Sequence, residues 1–204
     1  MNDTLRDVKE YLIKKYNCHS IILYGSYANG DFTEESDIDL LCFCDNPHTE
    51  NDTSIISGRQ LDAWIYETSM MDNFTQFLHV RDGKILLDER NKCDNFLKEI
   101  DKQFKKGPEQ LTADKKYFLK NWLAKMLNRA QKEDIEGNFR YHWLLVDSLE
   151  IYFNIKGLWY LGPKKSLKWL YENDRDAYNV FDNALKVNAD IADVEKLVEF
   201  IRTL

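Results

Sequence analysis

The segment ILYGSYANGDFTEESDIDLLCF, Ile22 to Phe43, decides how the first half of this sequence is interpreted. Its second apolar run begins beside Asp37 and Asp39, which stand two residues apart. Residues two apart on a strand point to the same face. Two ionised carboxylates side by side repel each other unless a cation lies between them, and Mg²⁺ prefers such oxygen ligands. The pattern predicts part of a magnesium site, with a solvated loop end as the alternative.

Gly25 and Ser26 follow the first apolar run directly, and SYANG after it is typical of the first turn of a helix. Free backbone N–H groups and a hydroxyl at a helix start suit a phosphate, and glycine lets the backbone approach closely. A triphosphate held by the metal would thus also meet this turn. The alternative for Ser26 is a plain N-cap.

A third carboxylate is expected from RQLDAWIYE, Arg59 to Glu67. Strict alternation puts Asp62 on the face opposite the apolar residues. Aspartate is disfavoured in the middle of a strand, and Asp62 is easiest to explain if it faces the same metal from a neighbouring strand. It would then also be placed to take a proton from an attacking hydroxyl. This prediction rests on alternation alone.

These residues resemble the signature of the DNA polymerase β-like nucleotidyltransferase superfamily: G-S, a spacer, D-x-D and a later strand aspartate. The sequence is similar to the small bacterial branch, which reads G-S-x-A-x-G and then S-D-x-D-L. The matching positions are Gly25, Ser26, Asp37, Asp39 and Asp62. The resemblance covers roughly residues 20–88. It implies attack of an acceptor hydroxyl on the α-phosphorus of an NTP, with two Mg²⁺ ions held by the three aspartates and pyrophosphate leaving.

Bulk properties limit the class of protein. The 204 residues are 44% hydrophobic and 31% charged, which is typical of a globular chain. No apolar run approaches the ~20 residues that span a membrane, and the N-terminus lacks the apolar core of a signal peptide, so a cytoplasmic protein is expected. The net charge of −7 comes from residues 1–106, with 13 Lys and Arg against 20 Asp and Glu. This acidity disfavours a nucleic-acid substrate and favours a cationic small molecule.

The two halves of the chain differ in pattern, and Gly107-Pro108 before the N-cap residue Thr112 marks the predicted boundary. The first half alternates helices and strands, with a polar loop at Asn46–Ser54, and the second is helical throughout. The predicted helices are Asp3–Tyr16, Asp72–Val80, Cys93–Lys106, Asp114–Lys132, Asn138–Lys156, Lys164–Glu172, Asp174–Lys186 and Asp190–Arg202, and the predicted strands are Ser20–Tyr24, Ile38–Cys44, Gln60–Glu67 and Lys84–Glu89. The fold class is therefore α+β: a nucleotidyltransferase domain with a mixed sheet (1–106), then a helical bundle for acceptor binding or dimerisation (107–204).

The order of the two predicted domains is similar to that of the aminoglycoside and lincosamide nucleotidyltransferases, which modify small antibiotics. Within the bundle, Asp147 and Glu150 lie on one stripe with Arg140 and Trp143. Carboxylates inside a helix with so many apolar positions need a partner or a cavity, so they would bind the amino groups of a cationic acceptor or supply its general base. A salt-bridge stripe is the alternative. The aromatic-rich helices also leave room for a homodimer interface.

Three functions fit these observations. The leading interpretation is NMP transfer from an NTP to a hydroxyl of a small molecule, such as an aminoglycoside-like antibiotic. The second is a protein-AMPylating enzyme of the antitoxin type, since related small nucleotidyltransferases transfer AMP to a protein tyrosine. The third is a nucleotide-binding module without turnover, against which the complete set of Asp37, Asp39 and Asp62 argues.

Overall fold

The computed structural model describes residues 3–45, 50–132 and 134–204. The chain divides into two units that meet in sequence between Lys106 and Gly107. The first combines strands with helices, and the second is helical. The fold is therefore α+β, as the alternation of patterns predicted.

A six-stranded mixed sheet forms the centre of the first unit. Its strands are β1 (Ser20–Leu23), β2 (Ile38–Cys44), β3 (Glu50–Asp52), β4 (Ile55–Ile56), β5 (Arg59–Glu67) and β6 (Lys84–Asp88). The order is β3-β5-β2-β1-β6, with β4 paired only to β5. The two central strands β2 and β5 run parallel, and every other described pair is antiparallel.

The described part of this unit contains three α-helices: α1 (Asp3–Tyr16), the short α2 (Gly25–Asn29) and α3 (Cys93–Lys106). The prediction of one continuous α-helix over Asp72–Val80 is wrong, because the type of helix differs. Two 3₁₀ helices, Thr68–Asp72 and Phe74–Val80, occupy the region. Asn73 between them has φ −97° and ψ 66°, outside the helical region. The tighter 3₁₀ turns are used in such short connecting pieces.

Alternation along β2 and β5 separates two faces of the sheet. One face is a buried core that contains side chains of both strands and of α1, for example Leu40, Ala63 and Leu12. On the other face Phe43 contacts Phe77 and Phe96 edge-on, at centroid distances of 5.8 and 5.3 Å. Asp39 and Asp62 alternate with the core residues and therefore share the face of Phe43.

The loop predicted for Asn46–Ser54 needs correction. Residues 46–49 lie outside the described part of the chain, but Glu50–Asp52 forms β3 at the edge of the sheet. Ile55–Ile56 forms the small strand β4. A three-residue polar strand has too few positions to show a period of two, so the sequence pattern does not reveal it.

The second unit consists of α4 (Ala113–Ala130), α5 (Ile135–Lys156), α6 (Gly162–Asn173), α7 (Arg175–Ala184) and α8 (Ile191–Thr203). Its core includes Leu144, Tyr152, Phe181 and Leu197, each fully buried. The predicted N-cap of α4 is confirmed, because the Thr112 hydroxyl accepts a hydrogen bond from the backbone N–H of Lys115. Among the described helices none combines the length and the apolar character needed to cross a membrane.

Candidate active site

Asp39 and Asp62 lie directly beside each other on the two central strands. The parallel register pairs Asp39 of β2 with Asp62 of β5, so their Cα atoms are about 4.8 Å apart, the usual spacing of neighbouring strands. Both residues are half-buried, whereas their neighbours Ile38 and Leu61 are fully buried. The alternation of β5 predicted this placement for Asp62, and the structure brings the two carboxylate-bearing positions to the same face.

Gly25 lies directly beside Asp39. It opens α2 with a φ of +65°, and a Cβ built on it would lie 2.0 Å from Oδ2 of Asp39. Any side chain at this position would overlap the carboxylate. The backbone N–H of Tyr24 donates to the carbonyl oxygen of Asp39 at 3.0 Å, which holds the start of α2 against β2.

Ser26 is the second residue of α2 and is half-buried. The residue before the helix is Tyr24, and no side chain caps the helix start. The alternative interpretation of Ser26 as a plain N-cap is therefore wrong. The carbonyl oxygen of Ser26 accepts a hydrogen bond from the N–H of Gly30 at 2.9 Å, and the helix ends at this glycine, whose backbone is left-handed.

Asp37 is placed differently from the other two aspartates. It is exposed and precedes the first residue of β2, Ile38. The loop before it contains a turn in which the backbone N–H of Thr33 donates to the hydroxyl of Ser36 at 2.9 Å. Within the described ranges, no three or more His, Cys, Asp or Glu side chains are arranged so that they could hold a metal ion. The structure thus pairs Asp39 with Asp62 and leaves Asp37 outside the strand.

The residues present nevertheless fit a magnesium ion. Mg²⁺ is usually bound through one or two carboxylates together with waters and substrate phosphates, rather than by a complete cage of protein ligands. Asp39 and Asp62 supply two carboxylates on one face. The missing side chain of Gly25 leaves room for the carboxylate of Asp39 where a Cβ would collide with it.

Two neighbours of the aspartates were not predicted from the sequence. The side-chain amide of Asn51 in β3 donates to Oδ1 of Asp62 at 2.7 Å. Tyr24 contacts His79 edge-on, with ring centroids 5.2 Å apart, and burial raises the pKa of its hydroxyl, with a further contribution from the charges of Asp62 and Asp39. The only signal for Tyr24 is its place before Gly25-Ser26. Asn51 gives none, because its strand is too short to recognise.

The predicted acceptor residues lie on α5 in the second unit. Oδ2 of Asp147 accepts a hydrogen bond from the indole N–H of Trp143 at 2.6 Å. Arg140, one of the cations expected in the salt-bridge alternative, instead pairs with Glu136 at 3.1 Å. Burial raises the pKa of Tyr160, and the charges of Glu150 and Asp147 raise it further. The stripe thus combines carboxylates and aromatic rings with one cation, since the Arg140 guanidinium lies 5.3 Å from the centre of a Trp143 ring.

Comparison with known proteins gives one family. The sequence profile of the family described as nucleotidyltransferase domain matches residues 5–142. Two proteins of Methanocaldococcus jannaschii, each named "putative protein adenylyltransferase", are 51% and 49% identical over 41 residues, which is 20% of this chain. The chain spans about two-fifths of the length of these curated relatives, 41% and 42%.

Among solved structures, a nucleotidyltransferase-like protein from Exiguobacterium sibiricum aligns over 98% of this chain and 73% of its own. The identity is 15% and the TM-score 0.45, a likeness too slight to bear on function.

Proposed function

Because the chain belongs to the nucleotidyltransferase domain family, we propose that it transfers the nucleoside monophosphate of an NTP to an acceptor hydroxyl. The observation that carries this proposal is the register pair of Asp39 and Asp62 with Gly25 against the Asp39 carboxylate. The acceptor oxygen forms a bond to the α-phosphorus, the bond from that phosphorus to the bridging oxygen breaks, and pyrophosphate leaves with the bond electrons.

Each residue of the site has a proposed role. Asp39 and Asp62 bind divalent metal from neighbouring strands, and Asp37 completes the set from the end of the adjoining loop. Bound Mg²⁺, in two ions, would neutralise phosphate charge and lower the pKa of the acceptor hydroxyl. Gly25 and Ser26 hold the phosphates at the start of α2. Asp62 accepts the acceptor's proton, and Asp147 is the competing candidate for this base.

A small molecule that carries amino groups is the first proposed acceptor, such as an aminoglycoside-like antibiotic. Its support is the chemistry of α5, where Asp147 accepts from the Trp143 indole. The charges of Glu150 and Asp147 also add to the effect of burial in raising the pKa of Tyr160, which follows the helix. Carboxylates attract a cation by charge, and aromatic faces attract it through the ring quadrupole.

A protein hydroxyl is the second proposed acceptor. One observation favours it: the two M. jannaschii relatives are named as putative protein adenylyltransferases. The match covers 41 residues, 20% of this chain, so the likeness supports adenylyl transfer more directly than it supports the acceptor.

A homodimer is also proposed. Large apolar side chains of α4 and α5 are exposed in the single chain, among them Ile135 (90%), Phe118 (65%) and Val146 (71%). Apolar surface of this kind is typical of sites that bind another protein. Light scattering that gives the monomer mass of 24.2 kDa at every concentration would contradict the proposal.

The first experiment is calorimetric binding of ATP and GTP, with and without Mg²⁺, to the wild type, Asp39→Asn and Asp62→Asn. Binding that needs Mg²⁺ and is strongly weakened in both variants is expected. Asp82→Asn is the matched control, since Asp82 is exposed in a turn and pairs with Arg81. Equal binding by all four proteins would refute the site.

Labelled transfer then separates the acceptors. The protein is incubated with Mg²⁺ and ATP labelled at the α-phosphate, together with either an aminoglycoside series or a protein extract. Label on an aminoglycoside supports the first acceptor, and label on a protein band supports the second. Metal-dependent binding with no transfer to any acceptor supports the module without turnover.

A further inference from the structure

Strand β3 connects α1 to the candidate active site through two adjacent residues. Asn51 and Asp52 are neighbours on a strand, so their side chains point to opposite faces of the sheet. Asn51 contacts Asp62 on the site face. Asp52 contacts residues of α1 on the other face.

Asp52 fixes the position of β3. It is only 4% exposed, and Oδ2 accepts from the hydroxyls of Tyr11 and Tyr16 and from the Lys15 ammonium at 2.8–2.9 Å. Oδ1 accepts from the backbone N–H of Ser54 at 2.8 Å. Burial raises the pKa of Asp52, but these hydrogen bonds outweigh it and hold the pKa below its usual range. A three-residue edge strand would otherwise be weakly held.

Asn51 reaches Asp62 along a diagonal of the sheet. The antiparallel register pairs Asn51 with Trp64, and Asp62 is two residues before Trp64 on the same face. Diagonal neighbours of this kind are close enough for polar side chains to meet. The resulting hydrogen bond of 2.7 Å uses Oδ1 of Asp62, which fixes the plane of the carboxylate. The donor is a neutral amide and adds no charge to the site.

We propose that Asn51 is a positioning residue for Asp62, held in place by the contacts of Asp52 with α1. Asn51 acts through its hydrogen bond to Asp62. Asn51 orients the carboxylate of Asp62 so that the oxygen that accepts no hydrogen bond from Asn51 faces the metal. Strand β3 holds Asn51 in position because Asp52 is anchored from the opposite face of the sheet. The inference rests on the proposed function, since it assumes that Asp62 binds metal.

The test measures metal binding without turnover. Mn²⁺ is titrated by electron paramagnetic resonance in the presence of α,β-methylene-ATP, which cannot release pyrophosphate. Asn51→Leu keeps the approximate size of the side chain and removes the donor. Loss of a hydrogen-bond partner behind a metal ligand typically weakens metal affinity 10- to 100-fold, and a loss of about 10-fold is expected here. Asn183→Leu, an exposed asparagine of α7, is the matched control and leaves the affinity unchanged.

A double-mutant cycle with Asp62→Ala distinguishes positioning from a general structural effect. If Asn51 acts through Asp62, Asn51→Leu weakens Mn²⁺ binding in the wild type and has no further effect in Asp62→Ala. Equal losses in both backgrounds, or a loss explained by a lowered melting temperature of Asn51→Leu, overturn the inference. Wild-type Mn²⁺ affinity in Asn51→Leu also overturns it while leaving the proposed function intact. Absence of Mn²⁺-dependent nucleotide binding in the wild type contradicts the proposed function itself.

Discussion

Gly25 and Asp39 are packed so closely that a methyl group on the glycine would lie 2.0 Å from Oδ2 of the aspartate. Eight residues of loop and the first residue of β2 separate the end of α2 from Asp39 in sequence, yet the backbone of Gly25 lies against the carboxylate of Asp39. The requirement for glycine here has two causes: the positive φ of 65° and the occupied space. Gly30 meets only the first, since its φ is +84° and nothing lies within 4 Å of a Cβ built on it.

Gly25→Ala is therefore expected to abolish metal-dependent nucleotide binding, because Asp39 must move away from the new methyl group. The left-handed backbone adds a cost of about 1–2 kcal/mol. Gly30→Ala carries only that backbone cost and should bind nucleotide normally. Calorimetry and melting curves on both variants check this. Equal nucleotide affinity in the two variants would contradict the close approach to Asp39 as the cause.

Asp147→Asn and Glu150→Gln are expected to weaken binding of an aminoglycoside by about 10-fold each, roughly the loss of one exposed charge interaction, and to leave ATP binding unchanged. The physical reason is the loss of negative charge beside Tyr160. Calorimetry with both ligands measures the two effects separately. Glu136→Gln is the control, because Glu136 lies on the same helix and pairs with Arg140. An equal loss in that variant would indicate a general charge effect.

Asp52 should make the first unit sensitive to acid. Its pKa is lowered in the folded protein, so its contribution to stability is present above the unfolded value of 3.8 and is lost as the pH falls below it. Asp52→Asn removes hydrogen bonds to a charged group and is expected to cost about 2 kcal/mol at neutral pH. The variant should then lose less stability than the wild type between pH 5 and about 3. Urea unfolding at each pH measures this, and parallel curves would contradict it.

His19 also makes the folded protein less stable as the pH falls, but at a higher pH than Asp52 does. Burial lowers its pKa below 6.5, and the charge of Arg90 lowers it further. The unfolded chain therefore binds a proton more readily than the folded one, and stability decreases as the pH falls below about 6.5. One proton corresponds to at most ~1.4 kcal/mol per pH unit. His19→Gln should reduce the slope of the free energy of unfolding against pH between pH 7 and 5, as measured by urea unfolding. An unchanged slope would mean that another group causes the pH dependence.

The strand and helix patterns could be predicted because they are local. The period of two in β5 and the N-cap of α4 are properties of neighbouring residues, so the bounds of both elements agree with the structure within a few residues. The helix predicted for Asp72–Val80 is a 3₁₀ helix over Phe74–Val80, and the 3₁₀ helix before it, Thr68–Asp72, was not predicted, since the geometry at Asn73 is not encoded in an apolar period.

The candidate site was predicted in the same local way, from the spacing of Gly25, Ser26, Asp37, Asp39 and Asp62, and its proposed roles stay predictions. The shared strand face predicted for Asp37 and Asp39 is not formed, since β2 begins at Ile38. By itself the sequence determined the α+β class and most element bounds. Only the tertiary structure decided which carboxylates are neighbours, that Gly25 lies against Asp39, and that β3 exists. The physical reason is distance along the chain: β3 is held by pairing with β5 and by donors of α1 that lie 36–41 residues earlier, and no local pattern carries such contacts.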